Sequence, residues 1–141
     1  YVKSDNDLLK SLEINPDDSY VLNYLAYSWL ERKYKISVAM KMLQKAYEQE
    51  PEDPYIIDSI GWAHYLTGNY NKAEELLKKA IQIMPDDPIV NDHYGDILWQ
   101  LDRKIEAIYY WKSVLSSDDA EKKIKDKAYL KVLQGLKKHK I

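Results

Sequence analysis

Proline followed by two acidic residues recurs three times in this chain at almost constant spacing. The copies begin at Pro16, Pro51 and Pro85, which are 35 and then 34 residues apart. Apolar residues with helical periodicity lie on both sides of each copy. Proline cannot continue the helix behind it, while an acidic side chain caps the helix ahead and favours its N-terminus. The spacing therefore predicts a helical repeat with a turn at each proline.

Small residues recur at two positions of each repeat, where they would let paired helices approach closely. The three copies carry them at Ala26 and Ala39, Gly61 and Ala73, and Gly95 and Ala107. With Ile57, Ile60, Leu77 and Ala80 between the second and third prolines, this arrangement resembles the tetratricopeptide repeat (TPR) pattern. The resemblance implies an all-α, right-handed solenoid of antiparallel helix pairs, with about eight helices. It covers almost the whole chain.

The repeat pattern divides the chain into five segments. We expect residues 1–18 to form the second helix of a truncated leading repeat, and residues 19–53, 54–87 and 88–119 to form full repeats. Residues 120–141 lack the pattern and are expected to form one amphipathic capping helix, since terminal repeats need a cap. Its apolar side is predicted to contain Ile124, Ala128, Val132, Leu133 and Leu136. The run 116–119 is expected to be a helix cap rather than a nucleophile site.

The turns inside the repeats differ. The second repeat has Gly68-Asn69-Tyr70, where glycine would supply an unusual backbone angle, and the first has one extra residue within 32–36. Residues 24–30, 57–62 and 91–99 look like the C-terminal repeats of long proteobacterial TPR proteins, some of which are thought to be envelope-associated adaptors. This resemblance implies a C-terminal fragment of a longer solenoid, from the bacterial cytoplasm or cell envelope.

The first helix of every TPR pair lines the concave groove of the solenoid, so the resemblance also implies a binding surface. The expected groove residues are mainly aromatic or acidic: Tyr20, Asn23, Tyr27, Glu31, Tyr55, Asp58, Trp62, Tyr65, Asp92, Asp96 and Trp99. Rigid, amphipathic Tyr and Trp side chains are typical binding anchors. The alternative is that several of them pack against neighbouring repeats or the C-terminal helix.

TPR domains that hold a C-terminal carboxylate use Lys, Asn and Arg in the groove. This chain retains at most Asn23 of that set, and Tyr27, Ser59, Ile89 and His93 stand at the other positions. A protein or peptide partner with an apolar or basic segment is therefore favoured over a carboxylate ligand.

Charge is unevenly distributed along the chain. Residues 1–119 carry 13 basic and 21 acidic side chains, whereas residues 120–141 carry eight lysines against Glu121 and Asp126. A basic terminal helix could touch anionic lipid, but a solvated cap is the more common role. Its lack of arginine and its single aromatic residue, Tyr129, disfavour nucleic acid as a partner. It could also fold back toward the acidic body.

Catalytic and cofactor sites find little support in the sequence. There is no cysteine, so disulfides, thiolate metal sites and cysteine nucleophiles are excluded. His64, His93 and His139 are far apart and show no metal-ligand spacing, and the four glycines form no phosphate-binding loop. We expect neither a cofactor nor a metal.

The sequence therefore predicts a non-catalytic scaffold or adaptor that binds a partner segment in its concave groove. The alternative is self-assembly through the exposed N-terminal half-repeat, which would produce a homo-oligomer. An enzyme is a third and weaker possibility.

Overall fold

Eight α-helices make up the computed structural model, which describes the backbone of residues 2–136 and the side chains of residues 3–136. The helices are α1 (Val2–Ile14), α2 (Ser19–Glu31), α3 (Ile36–Gln49), α4 (Pro54–Leu66), α5 (Tyr70–Ile83), α6 (Pro88–Gln100), α7 (Lys104–Leu115) and α8 (Lys122–Gln134). Short turns join them, and successive helices pack together. The expected all-α fold of about eight helices is confirmed. His139 and the lysines beyond residue 136 lie outside the described residues.

The recurrent proline turns begin helices as predicted. In the second copy, the Asp53 side chain accepts hydrogen bonds from the backbone N–H groups of Tyr55 at 2.9 Å and Ile56 at 3.2 Å. Asp18 and Asp87 cap α2 and α6 in the same way. Each such cap stabilises its helix by about 1 kcal/mol. The cap prediction is confirmed at all three helices.

Close contact between paired helices leaves no room for a side chain at two glycines. A Cβ atom on Gly95 would lie 2.5 Å from Cδ1 of Trp111, whose side chain is fully buried, and 3.1 Å from the Ala107 carbonyl oxygen. A Cβ atom on Gly61 would collide with the buried Leu77 side chain. Ala26, Ala39, Ala73 and Ala107 have no exposed surface. These residues set the short distance between the helices of each pair.

The turns after α2, α4 and α6 share one geometry. Each has a residue with positive φ two positions beyond its helix: Lys33 at 53°, Gly68 at 83° and Asp102 at 62°. After α4, the N–H of Gly68 donates to the Tyr65 carbonyl and the N–H of Asn69 donates to the His64 carbonyl. This is the Schellman arrangement, which satisfies carbonyls that the helix end leaves unpaired. The unusual backbone angle predicted for Gly68 is confirmed.

Helix α8 takes the place of a first helix in a further pair. It packs against α7 and touches α6, just as α6 packs against α5 and touches α4. Ala128 is buried as expected, but Leu133 is 61% exposed, so its assignment to the packed side was wrong. Ser116 is the C-cap residue of α7, whereas α8 begins after Glu121, which makes no side-chain cap. Ile124, Val132 and Leu136 are half-buried, and Val132 and Leu136 pack against the core as expected.

Candidate functional site: the concave surface

The even-numbered helices α2, α4, α6 and α8 form one layer of the solenoid. Neighbours within this layer touch each other, whereas the odd-numbered helices touch only even-numbered ones. The even layer is therefore the concave side, as expected for the first helices of the pairs. Two cavities open on it, and Tyr27, Glu31 and Ile89 line both.

The N-terminal cavity lies between α2, α4 and the start of α6 and has a volume of about 560 Å³. Tyr24 and Tyr55 border it with 67% and 60% of their surfaces exposed, and Tyr27 forms part of its wall. Every charged residue that lines it is acidic, namely Glu31, Asp58 and Asp87. An aromatic surface with only negative charges suits a ligand that has apolar side chains and cationic or N–H groups.

One polar atom at this cavity has no hydrogen-bond partner among the described residues. Asn23 lines the cavity, and its buried Oδ1 accepts no hydrogen bond. A buried acceptor without a partner costs about 1–3 kcal/mol.

The C-terminal cavity, with a volume of about 540 Å³, lies between α2, α4, α6 and α8. Trp62 and Leu66 supply apolar surface, and Asp92 and Asp96 of α6 face lysines of α8. The lysines that line it are Lys33, Lys123, Lys127 and Lys131. Positive charge thus enters the groove from the C-terminal helix.

A buried histidine lies between the two cavities. His93 Nδ1 is 2.9 Å from Asp58 Oδ1, and its ring stacks on Trp62 with centroids 3.9 Å apart. The Tyr27 hydroxyl is 3.5 Å from His93 Nε2. Burial disfavours the imidazolium, but Asp58, with Asp92 and Asp96, outweighs it and raises the pKa of His93. Burial also raises the pKa of the Tyr27 phenol.

Asp96 connects three helices at the C-terminal cavity. Its Oδ1 accepts hydrogen bonds from Trp111 Nε1 at 3.0 Å and from Lys131 Nζ at 2.8 Å. Lys131 Nζ also lies 2.9 Å from Asp92 Oδ1. Burial and the neighbouring Asp92 raise the pKa of Asp96 to about 6 against the opposing effect of Lys131. Burial disfavours the ammonium of Lys131, but the two carboxylates outweigh this and raise its pKa.

The structure distributes the eleven expected groove residues over three environments. Asn23, Tyr27, Glu31, Tyr55 and Asp58 line the N-terminal cavity. The C-terminal cavity is lined by Tyr27, Glu31, Trp62, Asp92 and Asp96.

Tyr20, Tyr65 and Trp99 line neither cavity. Tyr20 is 65% exposed, whereas Tyr65 is only 5% exposed and stacks on Trp62. Trp99 Nε1 donates to the Leu136 carbonyl oxygen at 3.2 Å, so the end of α8 covers its indole.

Sequence reasoning missed several residues of the concave surface. Tyr24 lines the N-terminal cavity but is not among the expected groove residues. It follows Asn23 directly, and two successive residues of a helix can both reach a wide groove. The hydrogen bond between His93 and Asp58 has no counterpart in the sequence pattern either. The lysines of α8 were also absent from the expected groove. The excess of positive charge in residues 120–141 was the signal that could have found them.

Two classes of site are not seen in the described part of the chain. Between residues 3 and 136, no three acidic or histidine side chains form a group able to hold a metal ion. Among the described helices, none has both the length and the apolar character needed to cross a membrane.

Sequence comparison finds related proteins that contain the same repeat. A sequence model of the tetratricopeptide repeat matches residues 34–97. A TPR repeat-containing protein of Pseudomonas aeruginosa is 34% identical over 73 residues, which are 52% of this chain. The chain spans only 12% of that relative's length.

Solved structures share the fold at low sequence identity. A thermophilic TPR protein of Thermus thermophilus superposes with a TM-score of 0.73 at 18% identity, covering 92% of this chain and 71% of that one. MamA of Desulfovibrio magneticus gives a TM-score of 0.69 at 19% identity, covering 82% of this chain and 64% of that one.

The family model matches the repeat over residues 34–97, and the helix arrangement and the solved structures confirm the expected all-α TPR solenoid fold. Proteins of this class are generally non-catalytic scaffolds for protein–protein interaction.

Proposed function

We propose that this chain is a non-catalytic scaffold that holds a segment of a partner protein in the N-terminal cavity. The observation that carries the proposal is the combination of exposed Tyr24 and Tyr55 with a lining in which the charged side chains, among the described residues, are all acidic. Exposed tyrosines offer large contact area at small entropic cost. Their arrangement around a cavity is what a bound segment would use.

The chemistry of the cavity favours an apolar or basic partner segment. Asp87 already caps α6 and Asp58 is already hydrogen-bonded to His93, so both carboxylates have partners within the chain. Glu31 is exposed and forms no ion pair with a described residue, which makes it the acid that a lysine or arginine of the partner would approach. Apolar side chains would lie against the tyrosines.

The tyrosines supply the first test, because they are exposed enough to be replaced without loss of the fold. Peptides selected from a phage-displayed random library against the full chain should bind a Tyr24→Ser/Tyr55→Ser variant at least about tenfold more weakly, since each lost aromatic contact contributes on the order of 1 kcal/mol. Tyr109→Ser is the matched control: Tyr109 is 69% exposed on α7, outside both cavities. Calorimetric titration would measure the affinities. If the Tyr24→Ser/Tyr55→Ser and Tyr109→Ser variants bind the peptides with equal affinity, the N-terminal cavity is not the binding site.

The charge preference has its own test. Glu31→Lys should weaken binding of the selected basic peptides and reduce the salt dependence of their affinity, because attraction between exposed charges is screened by salt. Glu75→Lys on α5 makes the same charge change at an exposed position that lines neither cavity. If both variants weaken binding equally, net charge rather than the cavity controls affinity.

Self-assembly remains the second candidate, and exposed apolar residues on α1 favour it. Leu9 is 40% exposed and Ile14 is 87% exposed. Multi-angle light scattering over a wide concentration range would distinguish the two functions. A monomer at every concentration contradicts self-assembly.

A further inference from the structure

We propose that the C-terminal half of the groove is a second binding surface, for a lysine-bearing helix of the partner, and that α8 fills it until it is displaced. The proposal extends the scaffold function from one cavity to the length of the groove. It rests on the proposed scaffold function only in requiring that a partner protein exists.

The position of α8 shows what this surface accepts. Lys131 places its ammonium 2.9 Å from Asp92 Oδ1 and 2.8 and 3.1 Å from the two carboxylate oxygens of Asp96. One repeat earlier, His93 stands in the same relation to Asp58 and Trp62. A cationic side chain on a helix is therefore complementary to these two acids in both charge and position.

Apart from this ion pair, α8 packs on the core through Ala128 and through the partly buried Val132 and Leu136. Ala128 is its only buried residue among 122–134, whereas α6 has eight buried residues. Tyr129, Leu130 and Leu133 are more than half exposed. The other tie to α6 is at the helix end, where Trp99 lies against Gly135 and donates to the Leu136 carbonyl. A helix with little buried apolar surface detaches at low cost compared with the core.

Removal of α8 would uncover side chains that the sequence assigned to the groove. Asp92, Asp96 and Trp99 all contact α8 and belong to α6. Asp92 and Asp96 would then lose the ammonium group of Lys131. Buried or half-buried carboxylates without an ion-pair partner favour the binding of another cation. A partner helix with a lysine or arginine supplies one.

Hydrogen exchange on the full chain tests whether α8 detaches separately. Lys131→Ala should raise amide exchange in α8 at least tenfold while leaving α4 and α6 unchanged. Lys127→Ala is the matched control, because Lys127 lies one turn earlier, lines the same cavity and forms no ion pair with a described residue. Unchanged α8 exchange in Lys131→Ala, or a parallel rise in α6, would overturn the proposal.

The sequence of α8 itself provides the probe for binding. A synthetic peptide of residues 120–136, with Lys131 retained, should bind the Lys131→Ala chain at least tenfold more tightly than the wild-type chain. The same peptide with Lys131→Ala should not show this gain. The Asp92→Asn chain should expose α8 to exchange without gaining peptide affinity, since its acidic site is weakened as well.

Two results separate this proposal from the one above. Equal peptide affinity for wild-type and Lys131→Ala chains would show that α8 is a permanent cap and overturn the second surface alone. The Tyr24→Ser/Tyr55→Ser variant should bind the helical peptide unchanged, so failure of the N-terminal cavity would leave this test intact.

Discussion

Asp96 is the residue at which the two layers of the solenoid and the C-terminal helix meet. Its carboxylate accepts from Trp111 of α7 and from Lys131 of α8, and it is 7% exposed. Such a group is costly to ionise in spite of its bonds, because burial and Asp92 both oppose the negative charge. It therefore links the electrostatics of the groove to the stability of the fold.

Asp96 and His93 make stability depend on pH in one direction. A pKa near 6 for Asp96 means that the folded state holds its proton more tightly than the unfolded chain, so the free energy of unfolding falls as pH rises from about 4 to about 6. The raised pKa of His93 adds a contribution that is complete below about pH 6.5 and is lost as pH rises through the folded-state value. Urea denaturation between about pH 5 and about pH 8 should show a decrease of about 1 kcal/mol from Asp96, to which His93 adds in the same direction.

Variants with uncharged side chains at Asp96 and His93 separate the contributions of these two residues to the pH dependence of stability. Asp96→Asn should remove the part between about pH 4 and pH 6, and His93→Gln should remove the part above about pH 6. The charged groups facing Asp96 are Asp92 and His93 on its own helix and Lys131 on α8. Stability that rises with pH across this window in the wild-type chain would contradict both assignments.

At the scale of elements, α1 is attached by one polar cluster. The Arg32 guanidinium donates to both oxygens of Asp5, at 2.9 and 2.8 Å, and Trp29 Nε1 donates to Asp5 Oδ2 at 3.0 Å. The bond from Arg32 outweighs burial and holds the pKa of Asp5 below its ordinary value. Leu8 and Leu12 add apolar contact with the core. Asp5 thus fixes the position of α1 beside α2.

The turn after α2 predicts a stabilising substitution. Lys33 has φ 53°, and a side chain in the left-handed region costs about 1 kcal/mol relative to glycine. Lys33→Gly should therefore raise the free energy of unfolding by up to about 0.5 kcal/mol in urea denaturation, after the greater flexibility of unfolded glycine is allowed for. Gly68→Ala, at the equivalent position after α4, should lower it by about 1 kcal/mol. A free energy of unfolding that falls in Lys33→Gly, or rises in Gly68→Ala, would show that the two turns are not equivalent.

Features that depend on neighbouring residues could be predicted from sequence. Asp18, Asp53 and Asp87 cap helices through bonds to amides two and three positions ahead, so a short motif contains everything the contact needs. The same holds for Gly68, because a turn has few allowed geometries. The assignment of Leu133 failed because an isolated helix has no neighbour in the sequence to define its packed side.

At the scale of the molecule, the closure of the groove could not be predicted from periodicity. Lys131 lies 35 and 39 positions from Asp96 and Asp92 and belongs to a helix outside the repeat pattern. Its reach across the concave surface depends on where α8 docks, which the sequence of α8 alone does not determine. The uneven charge along the sequence indicates that residues 120–141 attract the acidic part of the chain, but it does not indicate which residues pair.

The solenoid should also lose its structure unevenly. Helices α4 and α6 each have eight buried residues, α8 has one, and residues 3–14 of α1 have none. In a repeat array each element is stabilised mainly by its neighbours, so terminal elements open first. Amide exchange in the wild-type chain should be slowest in α4–α6 and at least about tenfold faster in α1 and α8. Uniform exchange rates would instead indicate a single cooperative unit.

The position of α8 has a consequence for protein engineering. Because it stands where the first helix of another pair would stand, the exposed side chains of Tyr129, Leu130 and Leu133 offer the apolar surface against which an added second helix could be designed. A designed helix of that kind would convert the end of the array into a complete repeat. It would also hold α8 in place at the groove and reduce the range of ligands that the groove could bind.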